Sequence, residues 1–191
     1  RSMKWPLIAL SVPALAIEPL PLADAHRRLL FDLDLYHAVF FVSANAAQHA
    51  LNAFADLWPQ WPVGVHWLAV GESTAAVIRD AGLTPEYPRS GFNSEAVLAL
   101  SCLASVAEKR ILICRGDSGR DWLAARLREK GAGVDVVPFY RRLPAPGRHW
   151  PEGADTVMIT SVEGWRAMAA LVPAGATVIA AGERVAAAVA E

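Results

Sequence analysis

The chain has 191 residues, 54% hydrophobic and 19% charged, with a formal net charge of −1 at pH 7. That composition describes an ordered globular protein with room for one domain or two small ones, not a disordered segment. The near-neutral balance supplies no basic field for nucleic acid, and no membrane association is expected, because a span needs ~20 apolar residues.

The opening stretch "MKWPLIALSVPALAIEPLPLADA" has the outline of a signal peptide, but Pro6 and Pro13 interrupt its apolar run. We expect a structural strand at Leu7–Val12 instead. Next come a strand at Ala38–Val42 with an alanine-rich helix after it, and "LWPQWP", where Trp58 and Trp61 are expected to cover a loop. A strand at His66–Val70 leads into a glycine turn and a second helix. The β-branched run Ile111–Cys114 predicts a buried strand, followed by the polar turn Arg115–Arg120. From Asp121, Trp122, Leu123 and Leu127 recur at helical spacing until Gly131 stops the helix, and a strand follows at Val134–Val137. The turn contains Arg-Gly-Asp, a tripeptide that recurs by chance, and its glycines fit neither the P-loop nor the dinucleotide fingerprint. It is either a plain connection or an anion-facing turn, since a helix amino terminus presents free N–H groups and a favourable dipole.

The two cysteines, Cys102 and Cys114, sit in apolar segments without ligand spacing, so reduced, buried thiols in a cytoplasmic protein are expected. His26, His37, His49, His66 and His149 show no metal spacing either. No metal is expected.

The chain also repeats itself. "VFFVSANAAQHAL" from Val39 resembles "VMITSVEGWRAM" from Val157, with Ser43 opposite Ser161. "WLAVGESTAAVI" from Trp67 resembles "VIAAGERVAAAV" from Val178, with Gly71 opposite Gly182. "VPALAIEP" (Val12–Pro19) is echoed by "VPFYRRLP" (Val137–Pro144). These echoes predict an α/β fold of two similar lobes, each a parallel sheet flanked by helices in the flavodoxin-like manner. Residues 20–137 would form one lobe. Residues 1–13 with 145–191 would form the other, incomplete at both ends, and 14–19 and 138–144 would be linkers around a cleft. In such sheets ligands gather at the carboxyl ends of the strands.

At these residues the chain resembles uroporphyrinogen-III synthase. "FVSANA", "VGESTA", the Asn93-Ser94-Glu95 helix start, "CRGDSGR" and "GAGVDVVPFYRR" appear in the family's order, and "ITSVEG" and "AAGERVA" repeat the first two motifs. The family's opening strand and helix would precede this chain, and a closing strand and helix would follow it. His37 stands where the family usually has aspartate, and Val185 where it often has threonine.

The resemblance implies a cofactor-free lyase. It closes the linear tetrapyrrole hydroxymethylbilane into uroporphyrinogen III, losing water and inverting the last pyrrole ring through a spiro intermediate. Loss of the hydroxyl leaves an electron-deficient azafulvene, so the protein mainly folds and orients its substrate, work that fixed geometry can make worth several kcal/mol (~7 or more). The substrate has eight carboxylates, and the resemblance hands them to the strand-end turns. These are Ser43, Ala44 and Asn45; Gly71, Ser73 and Thr74; Arg115, Gly116 and Arg120; Ser161; and Gly182 with Arg184. For Ser43 and Ser161, helix capping competes with substrate contact, and for Thr74 the two are comparable. Glu72 and Glu183 are expected to favour the helices that follow them. Tyr140 is the candidate catalytic residue, a phenol facing the cleft that would donate to the departing hydroxyl, or else an aromatic packed under a linker. A monomer is expected. The rival is a non-catalytic two-lobed binding protein for a small anion. A receiver-like module would need a clustered acidic pocket, and a nucleotide-binding module a true glycine loop, and neither is present.

Overall fold

A computed structural model describes residues 9–91 and 93–191. The chain divides into two compact units, Ile17–Arg141 and Arg142–Glu191 together with Arg1–Ala16.

In chain order the strands are β1 (Leu15–Pro19), β2 (Ala38–Phe41), β3 (His66–Ala69), β4 (Pro85–Glu86), β5 (Arg110–Gly116) and β6 (Gly133–Pro144). The helices among them are α1 (Asp24–Phe31), α2 (Ala44–Ala55), α3 (Glu72–Asp80), α4 (Ser94–Leu98) and α5 (Trp122–Glu129). The strands form one sheet in the order β1-β6-β5-β2-β3-β4, parallel from β4 through to β6.

Strand alternation explains the double layer. On β2, Val39 and Phe41 join the core cluster that holds Ala47, Phe54, Ala75 and Ile78 of α2 and α3. Ala38 and Phe40 point the other way, into the cluster of Val97, Leu123 and Leu127 from α4 and α5. Leu112 and Cys114 of β5 join the first cluster, Ile111 and Ile113 the second. A strand buried on both faces must be apolar throughout, as the unbroken run "AVFF" is. Chain order reverses beside β2, because β3 lies on one side of it and β5 on the other. The crevice at the carboxyl ends of β2 and β5 is therefore a topological switch point.

The ends of this sheet differ from expectation. Leu7 and Ile8 of the strand expected at Leu7–Val12 lie outside the described residues, and 9–14 form no strand. The first strand among the described residues is β1, and segments 14–19 and 138–144, expected as linkers, are largely strand, while both breaks between the two units, Ala16/Ile17 and Arg141/Arg142, fall inside them. The Leu20 N–H donates to Phe139 and the Ala145 N–H to Ala14, so this edge pair runs antiparallel. Pro19 ends the edge strand β1, whereas Pro138 lies inside β6, between β1 and β5, at a bulge, one of the positions that tolerate proline. Pro138 leaves a trace all the same: it lacks an N–H, and the β5–β6 register slips beside it, from Arg115↔Pro138 to Gly116↔Tyr140.

The second unit contains β7 (Thr156–Ile159), α6 (Val162–Met168), β8 (Thr177–Ala180) and α7 (Glu183–Ala190), with β7 and β8 parallel. Ile159, Ala167, Met168 and Val185 are buried there. The position where threonine gives way to Val185 thus belongs to the core-facing side of α7.

Candidate functional site

The internal repeat proves to be a repeat of helix starts. Ser43 and Ser161 each precede a helix in extended backbone, and their hydroxyls accept the Ala46 N–H at 3.1 Å and the Gly164 N–H at 3.0 Å. Both serines are caps, each worth about 1 kcal/mol to its helix. Gly71 and Gly182 occupy the same place before α3 and α7, again in extended backbone, and neither offers a side-chain cap. The first N–H groups of α3 and α7 thus have no cap hydroxyl closing them, which leaves them for an anion. Glu72 and Glu183 sit in the first turns of those helices. The Tyr87 hydroxyl, at 2.5 Å, and then Arg79 bind the Glu72 carboxylate and hold it below the usual carboxylate range.

Thr74 departs from the capping alternative. It lies inside α3, 1% exposed, and its Oγ1 has no hydrogen-bond partner among the described residues. A buried hydroxyl without a partner costs about 1–3 kcal/mol, so it invites a ligand or water. Ser73 beside it is exposed, as is Asn45 in the first turn of α2, while Ala44 is half-buried.

At the switch point the turn after β5 is not where the sequence suggested. The strand runs two residues beyond Cys114 to Gly116, the Asp117 N–H donates to the Tyr140 carbonyl, and α5 begins only at Trp122. Arg115 reaches along its own turn to Asp121 at 2.6 Å, and Arg120 meets Glu95 at 3.5 Å. Both guanidiniums are at the strand-end edge, each with an acid beside it.

Tyr140 is 2% exposed, and its hydroxyl lies 3.0 Å from Ser43 Oγ. Its ring fills the space over Gly116, where an added Cβ would stand 3.0 Å from Cζ and 3.1 Å from Cε2. The half-buried Ser43 hydroxyl is the outward end of this pair.

In the smaller unit, Arg184 and Ser161 line a surface pocket of about 540 Å³ with Arg142, Arg166, Glu163 and Glu191. Arg142 pairs with Glu163 at 3.0 Å. Three guanidiniums against two carboxylates make this an anion-leaning pocket. Sequence reasoning found Arg184 but missed Arg142 and Arg166. The signal available was "VEGWR", which sets Arg166 one turn past the cap.

Neither thiol is poised as a nucleophile. Burial first, and then the Glu86 carboxylate, push Cys102 up to about 11, and complete burial raises Cys114 well above its ordinary value. Among the described residues, His66, Glu86 and Cys102 come together although their spacing gave no hint of it. No helix among the described residues is long and apolar enough to cross a membrane.

The fold defines an α/β protein with one doubly wound unit and a second, smaller parallel unit. Its relatives are consistent. A family profile described as uroporphyrinogen-III synthase HemD matches residues 7–191, and the chain belongs to that family. The uroporphyrinogen-III synthase of Proteus mirabilis is 38% identical over 106 residues, 55% of this chain and 53% of that protein. The Escherichia coli K12 enzyme of the same name is 34% identical over 143 residues, 72% of this chain and 54% of that protein. The chain thus spans about half the length of these relatives. Among solved structures, a mutant uroporphyrinogen III synthase from Thermus thermophilus aligns with a TM-score of 0.64 at 19% identity, covering 95% of this chain and 78% of that one. The Helicobacter pylori 26695 enzyme aligns with a TM-score of 0.63 at 16% identity, covering 91% and 78%. At such identities the structures speak for the fold alone.

Proposed function

We propose that this chain carries out the uroporphyrinogen-III synthase reaction on hydroxymethylbilane, without metal or organic cofactor, as a cytoplasmic monomer. The observation that carries the reading is the family match running in order through 7–191. The glycine-capped starts of α3 and α7 support it, because each leaves backbone N–H groups for a carboxylate arm of an octa-anion. In this reading the Arg142, Arg166 and Arg184 pocket of the smaller unit is a further carboxylate-binding surface.

The chemistry follows from the substrate. The hydroxyl on the terminal pyrrole leaves with a proton as water, the azafulvene is attacked by the substituted carbon of the last ring, and the spiro product rearranges to the inverted macrocycle. The protein's contribution is orientation plus one proton at the departing oxygen. Tyr140 lies behind Ser43, so the proton passes through the Ser43 hydroxyl, which Tyr140 replenishes across their 3.0 Å contact, and the pair recovers it from the ring carbon that loses a proton when the macrocycle closes. Arg115 and Arg120 add positive charge at the same strand ends.

A stopped mixture of chain and hydroxymethylbilane tests the reading against an anion-binding protein. The linear substrate should vanish faster than it cyclises unaided. Binding that leaves the uncatalysed rate unchanged or slows it contradicts the enzyme reading and supports the rival.

A further inference from the structure

At the amino-terminal edge of the same sheet, the geometry points to a Zn²⁺-type site formed by His66, Glu86 and Cys102. One ring nitrogen, one carboxylate oxygen and the thiol sulfur lie within 4.8 Å of one another. The three residues come from separate elements: His66 opens β3, Glu86 closes β4, and Cys102 lies in the short 3-10 turn Ser101–Leu103. Parallel pairing of Trp67 with Pro85 and Leu68 with Glu86 brings the first two together. His66 Nδ1 and Glu86 Oε1 are 2.5 Å apart.

The third donor is held in place. His37, one residue before β2, donates a ring N–H to the Cys102 carbonyl at 2.8 Å, and its ring centroid lies 4.8 Å from that of His66. His37 is therefore a positioning residue for Cys102. The site is also reachable: the His66 and Glu86 side chains are each 38% exposed and Cys102 is half-buried.

The donor set selects the ion. Imidazole, carboxylate and thiolate together suit a borderline-soft divalent cation, whereas Mg²⁺ and Ca²⁺ prefer oxygen alone. With bonds of about 2.0–2.3 Å, tetrahedral donors stand roughly 3.3–3.8 Å apart, so the widest separation here must close by about 1 Å. Binding replaces the thiol proton and the proton shared by His66 Nδ1 and Glu86 Oε1, both of which pass to solvent, the 2.5 Å pair opens by about 0.8 Å, and the ion takes its place among the three donors with the fourth position open to water. His66 and Gly71 bracket β3, and five residues of strand put the ion about 16 Å from the start of α3. The site is independent of the synthase reading. Its role is to clip β4 and the 3-10 turn to the sheet.

The test uses the full chain stripped of metal, titrated with Co²⁺ and then Zn²⁺. We expect one Co²⁺ per chain, a thiolate-to-cobalt charge-transfer band in the near ultraviolet, and loss of that band on adding Zn²⁺. Cys102→Ser should remove the band, and Cys102→Ser and His66→Gln should each weaken Zn²⁺ binding about 100-fold or more, with His149→Gln as the unaffected control. Each variant is scored only when its circular dichroism matches the parent, and the two remove different ligands, so one can stand if the other misfolds. Should both misfold, protection of the parent Cys102 thiol from alkylation by Zn²⁺ decides. No saturable binding, no protection, or a charge-transfer band that survives Cys102→Ser overturns the site.

Discussion

Ser43 and Tyr140 hold each other's hydroxyls at 3.0 Å, across the point where the strand order of the larger unit reverses. Ser43 caps α2 while Tyr140 lies buried over Gly116. Tyr140→Phe removes the hydroxyl contact to Ser43, so stability should fall by about 1 kcal/mol or more. Turnover should fall much further if the pair moves the proton. Denaturant midpoints and single-turnover kinetics separate the two effects. Unchanged single-turnover rates would leave Tyr140 a packing residue.

Gly116 is fixed by what it touches rather than by its φ. A Cβ there meets two ring carbons of Tyr140, a ring that is itself buried and must shift to admit it. Gly116→Ala should cost about 1–3 kcal/mol and displace the phenol from Ser43. Thermal unfolding measures the first. Loss of the coupling between Ser43→Ala and Tyr140→Phe in the Gly116→Ala background measures the second.

Thr74→Val removes a buried hydroxyl that no described residue satisfies. Stability should hold or rise by up to about 1 kcal/mol, because no protein hydrogen bond is lost. kcat/KM should drop roughly 10- to 100-fold if that hydroxyl meets a substrate carboxylate. Equal kinetics in the variant would leave α3 binding through its backbone alone.

Tyr36 gives a pH signature away from the candidate site. Its hydroxyl donates to Asp135 at 2.6 Å and accepts from Arg110 at 3.0 Å. Burial first, and then the Asp135 hydrogen bond, push the phenol well above its ordinary 10.0. A neutral phenol is thus favoured by folding. That stabilisation is complete below about pH 10 and is lost as pH climbs toward the raised value. Ultraviolet titration should show no phenolate from Tyr36 before unfolding, so the parent and Tyr36→Phe should titrate alike up to that point. A parent curve with one extra phenolate near pH 10 would refute this.

The central strands were legible because each is an apolar run ending in a serine, glycine or arginine turn, and the pairs Ser43/Ser161 and Gly71/Gly182 showed the repeat. The edges were not. Pro138 and Pro144 mark breaks in most contexts, yet β6 runs through Pro138 with a one-residue slip. Tyr140 is buried in that strand, where the resemblance had suggested it would face a ligand. β4 is two residues long, too short for any periodicity, and without its pairing nothing places Glu86 beside His66. Thr74 was legible as a turn residue but not as a buried one, since burial is set by tertiary packing rather than by neighbours in sequence.

The isomer identity of the product tests the whole account most directly. Hydroxymethylbilane is incubated with rising concentrations of the folded chain, the product is oxidised, and types I and III are separated. The type III fraction should climb with chain concentration until the spontaneous type I ring is nearly absent. A type I product at every concentration would contradict it.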